Sequence, residues 1–428
     1  MPAVTHKAPA VSTDRARPEE QVRRLQNIAD DIDERWRLRN YDEGCFDEIA
    51  IRALEELRAP ETIDPFAPLK WVIESPTLIL PDLHDSFGEP PVRVAERNRF
   101  FIEVLYWIDG TVSVHQHGFA GAFQVLTGSS IHTQYEFERT EAINSSCAIG
   151  RVSARSSELL RTGDIRPIRA GSSMIHSLFH LDRPSATIVV RTFAVADRQP
   201  QLSYLPPAIA FDPFRRDRLL AKQVAALKTM YDVRHPDLAK TACELAARAD
   251  FESLLRALLW ISQWSSNDAF VSQMVAAARA SHGARIDYLA ASLAEQRRLR
   301  LILHWRERVH DPELRYLLAL LLNVPDRRDI LRMVAERSGA EPTAQIVRWF
   351  RQLCQSDQSG KLTPLDDGTA QILESLLRGR SSQQIVEELR AEFGDDDIEA
   401  QREKIAEAVD LFRSSELLRP LIPAADQV

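Results

Sequence analysis

The sequence predicts an α+β chain. A small closed β-barrel with N-terminal helices is followed by an all-α C-terminal region that ends in a winged-helix-like module. Three observations carry this expectation. From Phe100 to about Val195 the apolar pattern has period two, with turn signals at Asp109-Gly110, Thr127-Gly128, Gly163-Asp164, Ala170-Gly171 and Asp182-Arg183-Pro184. On either side of this stretch apolar residues recur at steps of three and four, the spacing of one helix face. Pro206-Pro207 marks the point where period two stops.

In chain order, residues 1–18 read as a disordered tail. PEEQVRRLQNIADDIDERW sets Val22, Leu25, Ile28 and Ile32 on one helical face, and CFDEIAIRALEEL makes a second helix. Between residues 59 and 99 the prolines 60, 65, 68, 76, 81, 90 and 91 argue for short strands and turns. Seven candidate strands follow: FFIEVLYWI, VSVHQH, AFQVLTGSSIHTQYEF, CAIGRVSARSSELL, DIRPI, SMIHSLFHL and SATIVVRTF. Together with the preceding helices they make one expected domain, 19–210. Residues 211–355 read as a helical domain. Leu254, Leu255, Leu258, Leu259 and Ile261 form one apolar stripe, and Leu314, Leu317, Leu318 and Leu321 another, with Trp260, Trp264, Trp305 and Trp349 as inter-helix core. The polar linker QSDQSGKLTP leads to a last module, 365–422, with Ser381 or Ser382 as a helix cap.

The totals narrow the function. A chain of 428 residues with 44% hydrophobic and 27% charged content is an ordinary globular composition. A net charge of -8 argues against a broad nucleic-acid surface. Cys45, Cys147, Cys243 and Cys354 are far apart and form no C-x-x-C pair, so they read as reduced thiols. There is no apolar run of about 18 residues and no apolar signal core, so no membrane span and a cytoplasmic location are expected. The pattern contains no G-x-G-x-x-G, Walker-type loop, G-x-S-x-G or H-E-x-x-H. EQRRLRLILHWRERVH is an amphipathic helix whose basic face reads as solvated, with nucleic acid or an acidic partner as the other readings.

The candidate chemistry lies in the strands. His115 and His117 are one residue apart, and residues i and i+2 of a strand share a face. Two adjacent imidazoles on a strand can grip one metal ion. A third histidine comes from GSSMIHSLFHL, where Met174, His176, Leu178 and His180 share a face. His176 is the preferred ligand, and His180 is a neighbouring pocket residue. An all-imidazole set suits iron, zinc, copper or nickel. His132 and Gln134 alternate on one strand face, and Gln124 is a further pocket candidate. Tyr135 points the other way and, like Trp107, reads as packing.

At these residues the chain resembles the cysteine dioxygenase (thiol dioxygenase) branch of the cupins over about 100–195. The matching pieces are F-I-E-V-L-Y-W-I-D-G leading to S-V-H-Q-H, then F-Q-V-L-T-G and T-Q-Y-E-F, and later S-M-I-H-S-L followed by S-A-T-I-V-V-R-T-F. The resemblance implies a small cupin-type barrel that holds Fe(II) through His115, His117 and His176, with dioxygen as co-substrate and zinc or nickel as the other metals. Many cupins add a glutamate seven residues before a glycine. Counting back from Gly128, that position is Gly121, so the ligand is missing. The crosslinking cysteine of animal members is also absent at Gly121 and Ala122. The Ser-His-Tyr relay has no counterpart in Thr187–Thr192. For the arginine that holds the substrate carboxylate, Arg97, Arg99 and Arg191 are the candidates.

The expected function is a mononuclear non-haem iron oxygenase acting on a thiol- or amine-bearing small molecule or a peptide-tethered residue. The competing expectation is a non-catalytic metal- or ligand-sensing cupin. The last module, ILESLLRGRSSQQIVEELRAEF and its following helix, resembles winged-helix units that bind leader peptides or sit on cupin-type protein oxygenases. A homodimer, or a protein or peptide partner bound through the helical region, is therefore expected.

Overall fold

The computed structural model describes residues 16–75, 88–108, 113–193, 201–265, 267–356 and 365–422. The tail up to residue 15, the Asp109-Gly110 turn and the linker from residue 357 lie outside the described residues. Four helices lead in: α1 (Pro18–Arg37), α2 (Phe46–Leu57), α3 (Ala59–Thr62) and α4 (Ala67–Glu74). The last two correct the expectation of strands in the proline-rich segment. Pro60 and Pro68 sit in first helical turns, where a missing N–H leaves no hydrogen bond unmade.

Eleven strands follow among the described residues: β1 (Pro91–Glu96), β2 (Phe100–Trp107), β3 (His115–Gln116), β4 (Gly121–Thr127), β5 (Ser129–Ala142), β6 (Cys147–Arg161), β7 (Ile165–Ile168), β8 (Ile175–His180), β9 (Ser185–Thr192), β10 (Ser203–Leu205) and β11 (Ile209–Phe211). They form an open sheet, β1-β2-β9-β4-β7, and a closed antiparallel ring, β10-β11-β6-β5-β8-β3. The fold is α+β with a cupin-type barrel. The stretch AFQVLTGSSIHTQYEF is two strands, parted at the expected Thr127-Gly128 turn, where Gly128 has φ +87, a conformation natural to glycine. β1 is a short strand of the kind expected between residues 59 and 99, whereas β10 and β11 were not expected.

Period two decides which side chains meet. On β4, Phe123 and Val125 join Leu105, Phe119, Leu160, Ile168, Met174 and Val189 between the two sheets. Ala122 and Leu126 point the other way, to Val22, Leu25, Ile32, Ala50 and Leu54 of α1 and α2. The open sheet is thus buried on both faces.

The C-terminal region contains α5 (Arg218–Asp232), α6 (Leu238–Arg248), α7 (Phe251–Trp264), α8 (Asp268–His282), α9 (Arg285–Arg308), α10 (Pro312–Asn323), α11 (Arg327–Ser338), α12 (Pro342–Ser356), α13 (Asp367–Leu377), α14 (Ser382–Phe393) and α15 (Asp395–Ser414). Ile131 and Phe179 of the barrel belong to the same apolar core as α10–α15, and Thr133 Oγ1 donates to the Asn323 carbonyl at 2.9 Å. The helices are therefore docked on the ring. Ser381 caps α14 in a capping box with Gln384. The basic face of α9 is not simply solvated. Arg298 and Arg306 are buried: Arg298 donates to the Leu321 carbonyl at 2.9 Å, and Arg306 lies over the Phe179 ring. Among the described residues, no helix is long and apolar enough to cross a membrane.

Candidate metal centre

The register of β3 against β8 pairs His115 directly with His176. His117, just past the end of β3, forms an isolated bridge to Ala170. One ligand nitrogen from each of His115, His117 and His176 lies within 4.8 Å of the others, and all three residues are buried. His117 Nε2 is 2.8 Å from His176 Nε2. His180, the alternative third ligand, sits two pleat repeats further along β8 and binds elsewhere. Its Nδ1 is 2.9 Å from Ser130 Oγ, and its ring stacks on Trp107 at 4.6 Å.

The hydrogen-bond partners fix which nitrogens carry lone pairs. His115 Nδ1 lies 2.7 Å from the Ser113 carbonyl. A carbonyl can only accept, so Nδ1 bears the proton and Nε2 is left as the lone-pair nitrogen. His176 is set from further away. Arg166 Nε donates to Glu158 Oε1 at 2.9 Å, and the same carboxylate oxygen is 2.9 Å from His132 Nδ1. Hydrogen bonds from His132 and then Arg166 hold the Glu158 carboxyl down at about 2, so it is ionised and only accepts. His132 Nδ1 is therefore protonated. Its Nε2, 3.0 Å from His176 Nδ1, accepts, so His176 Nδ1 donates and His176 Nε2 carries the lone pair, which accepts from His117 Nε2 at 2.8 Å. Burial, above all, pushes His115, His117 and His176 below the ordinary histidine range, and their mutual proximity adds to this for His117 and His176. Neutral imidazoles are the state in which a metal is bound; His115 and His176 already turn a lone pair inward, and His117, whose Nδ1 has no partner among the described residues, can move its proton there to free Nε2. The donor set fits a divalent transition metal.

Gly121 has no room for a ligand side chain. A Cβ at this position would stand 2.0 Å from the Val190 carbonyl, so β9 runs too close for a side chain. The position that a glutamate occupies in many cupins is closed here by backbone.

The space beside the imidazoles is about 70 Å³ and is lined by Glu103, Leu105, Trp107, Phe119, Thr187, Arg191 and others from the two sheets. Arg191 points inward. Its guanidinium lies between the Phe101 and Phe119 rings, 4.5 and 4.4 Å from their centres, and 3.7 Å from Glu103. Its charge also depresses His117. Glu103 is buried and held at 3.0 Å by Arg93, so one carboxylate is shared by two guanidiniums. Trp107, expected as core, lines this space, and its Nε1 donates to Thr187 Oγ1 at 3.3 Å.

Several other expected residues are elsewhere. Arg97 is on the outside, paired with Asp30 of α1, and exposed Arg99 covers the Tyr41 ring. Both lie at the edge of the open sheet. Gln124 shares the face of Ala122 and Leu126 and donates to the Gly163 carbonyl at 3.3 Å, away from the metal. His132 is behind His176 rather than in the pocket. Glu103, Phe119, Glu158 and Arg166 were not anticipated from the sequence.

His180 is fully buried, and burial lowers its pKa to about 3. Its Nε2 has no hydrogen-bond partner among the described residues. The folded value lies below the unfolded value of about 6.5. As pH falls from about 6.5 toward 3, the unfolded chain takes up a proton that the folded chain refuses. Stability should then fall by up to about 1.4 kcal/mol per pH unit from this residue alone. His180→Phe keeps a ring on Trp107 and should flatten the pH dependence of urea unfolding between pH 6.5 and 4.5. An unchanged slope would contradict the assignment of a neutral, buried His180.

No protein-family model matches the chain, and no curated protein matches it by sequence. Among solved structures, the chain is similar to hydroquinone 1,2-dioxygenase from a Sphingomonas species with 4-hydroxybenzoate bound, at 13% identity over 26% of this chain and 70% of that one, with a TM-score of 0.21. A cupin-2 domain protein from Shewanella frigidimarina matches at 16% identity over 24% and 79% of the two chains, TM-score 0.17. A double-stranded β-helix protein from Klebsiella pneumoniae matches at 15% identity over 29% and 94%, TM-score 0.18. The chemistry rests on the residues themselves.

Proposed function

We propose that this protein is a mononuclear non-haem iron oxygenase. In this reading His115, His117 and His176 hold Fe(II), and the substrate is a small thiol or amine that carries a carboxylate, free or as a residue on a peptide. The carrying observation is the convergence of three neutral imidazoles, with no carboxylate in the set among the described residues, beside an inward guanidinium. Iron would supply open coordination positions for substrate and dioxygen and the one-electron chemistry that dioxygen needs.

The chain's own residues do the rest. The Ser113 carbonyl and the Glu158–His132 pair hold two imidazoles in the binding tautomer. Arg191 offers a carboxylate a charge-assisted fork, kept in place by the two phenyl rings and Glu103. A divalent metal and Arg191 against the shared Glu103 leave the pocket net positive, which favours an anionic substrate. The volume of about 70 Å³ holds roughly five water-sized groups, so the reacting part of the substrate is small. His180 Nε2 faces this space as a hydrogen-bond partner, and its tie to Ser130 fixes the ring. The resemblance to the thiol dioxygenase branch supports iron and a sulfur donor. The missing Ser-His-Tyr relay points away from free cysteine.

Oxygen uptake by the iron-loaded protein with a panel of small thiols, amines and short peptides tests this function. A substrate with a carboxylate should lose about 10–100-fold in kcat/KM with Arg191→Ala, the worth of about 1.5–3 kcal/mol for hydrogen bonds to a charged group. Its primary-amide analogue should be little affected. Iron bound but no uptake with any compound would favour the metal-sensing cupin instead.

A further inference from the structure

A cavity much larger than the one at the metal lies elsewhere in the molecule. It measures about 520 Å³ and lies on the opposite face of the metal-bearing strands, between the ring and the helices. Its floor is Tyr135, Ser177 and Tyr204, and its roof is Leu299 and Leu303 of α9 with Arg419 beyond α15. Around it the ring and the helices are in direct contact. Ile131 and Phe179 sit in the helical core, Ser292 Oγ donates to the Leu205 carbonyl at 3.0 Å, and Asp329 accepts from the Ser157 N–H at 3.0 Å. Protein interiors close-pack, so an interface sealed on several sides does not leave several hundred Å³ open by loose fit. The volume is that of a small-molecule site.

The lining states the ligand class. Val114, Val152, Ala154, Leu322 and Val324 add to the two leucines as an apolar body. The charged groups are Arg298, Arg300 and Arg419 against Glu295 alone, a surplus of two positive charges (three minus one). Buried Arg298 and exposed Arg419 share Glu295, at 2.8 and 3.2 Å, while exposed Arg300 at the rim donates to Ser262 Oγ at 2.9 Å, so the one carboxylate leaves the surplus charge at the rim. We propose that this cavity is a second binding site, for a small organic carboxylate with an apolar body, whose head group meets Arg300 and Arg419.

The floor also connects the cavity to the metal strands. Tyr204 Oη donates at 2.6 Å to Gln116, which lies between His115 and His117, and Ser177 follows His176. A ligand resting on Tyr204 and Ser177 therefore bears on the two strands that carry the imidazoles. Occupancy of the site does not depend on the iron reading; only this coupling does.

Calorimetry on the full chain, with straight-chain carboxylates from butanoate to decanoate and the matching alcohols and amines, tests the site. One carboxylate or more should bind saturably at one site per chain. The alcohol of the same length should bind about ten-fold more weakly or worse, as expected for loss of a charge-assisted contact. The exposed pair Arg300→Ala and Arg419→Ala should lower affinity by about the same factor without loss of folding. Ala154→Trp should fill the cavity and abolish binding. No saturable binding by any member of the series would overturn the proposal. So would binding that survives both variants, or binding lost instead in Arg191→Ala, which would put the ligand at the metal. The coupling is read separately, as a change in metal affinity when the best carboxylate is saturating.

Discussion

His117→Ala should lower metal affinity by more than about 100-fold, with the barrel still folded. A structural tetrahedral zinc site is worth about 10–16 kcal/mol over four ligands, or roughly 3 kcal/mol per ligand. His117 has the weakest structural duty of the three. Its Nδ1 has no hydrogen-bond partner among the described residues, whereas His115 is tied to Ser113 and His176 to His132. Removing it also relieves the burial of a ring held below its ordinary pKa beside Arg191 and His115. Metal competition titrations on wild type and His117→Ala read the affinity, and thermal unfolding without metal reads the fold. A variant that keeps wild-type affinity would remove His117 from the centre.

Glu158→Gln should lower metal affinity by about 10–100-fold although Glu158 does not touch the metal cavity. This is the usual cost of losing an outer carboxylate that orients a ligand histidine. The carboxylate is the only member of the Arg166–Glu158–His132–His176 chain that must accept, and so it sets the direction of every proton in the chain. A glutamine amide can turn its NH₂ to His132 and reverse the order, which would put the proton on His176 Nε2. Imidazole nitrogen chemical shifts in metal-free protein separate the two tautomers directly. Wild type should show His176 protonated at Nδ1, and the variant a mixture or the reverse. A loss of affinity with an unchanged tautomer would mean that Glu158 acts only through packing.

The sequence showed the part of this centre that rests on local periodicity. An H-x-H pair on a strand must present two rings to one face, and His176 and His180 alternate on another. That the third ring is His176 follows from the pairing His115↔His176, a long-range register that no local signal states. The same limit hid His132. It is adjacent to His176 only because Gln134 pairs with His176 and His132 lies diagonally next to it across β5 and β8. Arg191 and Gln124 were decided by alternation. Arg191 shares a face with Val189 and Thr187 toward the metal, while Gln124 opposes Phe123 and Val125. Arg97 and Arg99 had only their charge to recommend them. β10 and β11, at three residues each, are too short to display a period. The buried arginines of α9 were missed because amphipathic reading assigns charge to solvent, whereas Arg298 is satisfied by Glu295 and a carbonyl.

The metal content of anaerobically purified protein bears on the centre most directly. The full chain, purified with ferrous iron available and compared with His117→Ala, should carry one iron per chain held by histidine nitrogens at about 2.0–2.3 Å in X-ray absorption. The variant should carry almost none. Wild-type protein that takes up no stoichiometric metal, or a variant that retains it in full, would contradict the three-histidine centre.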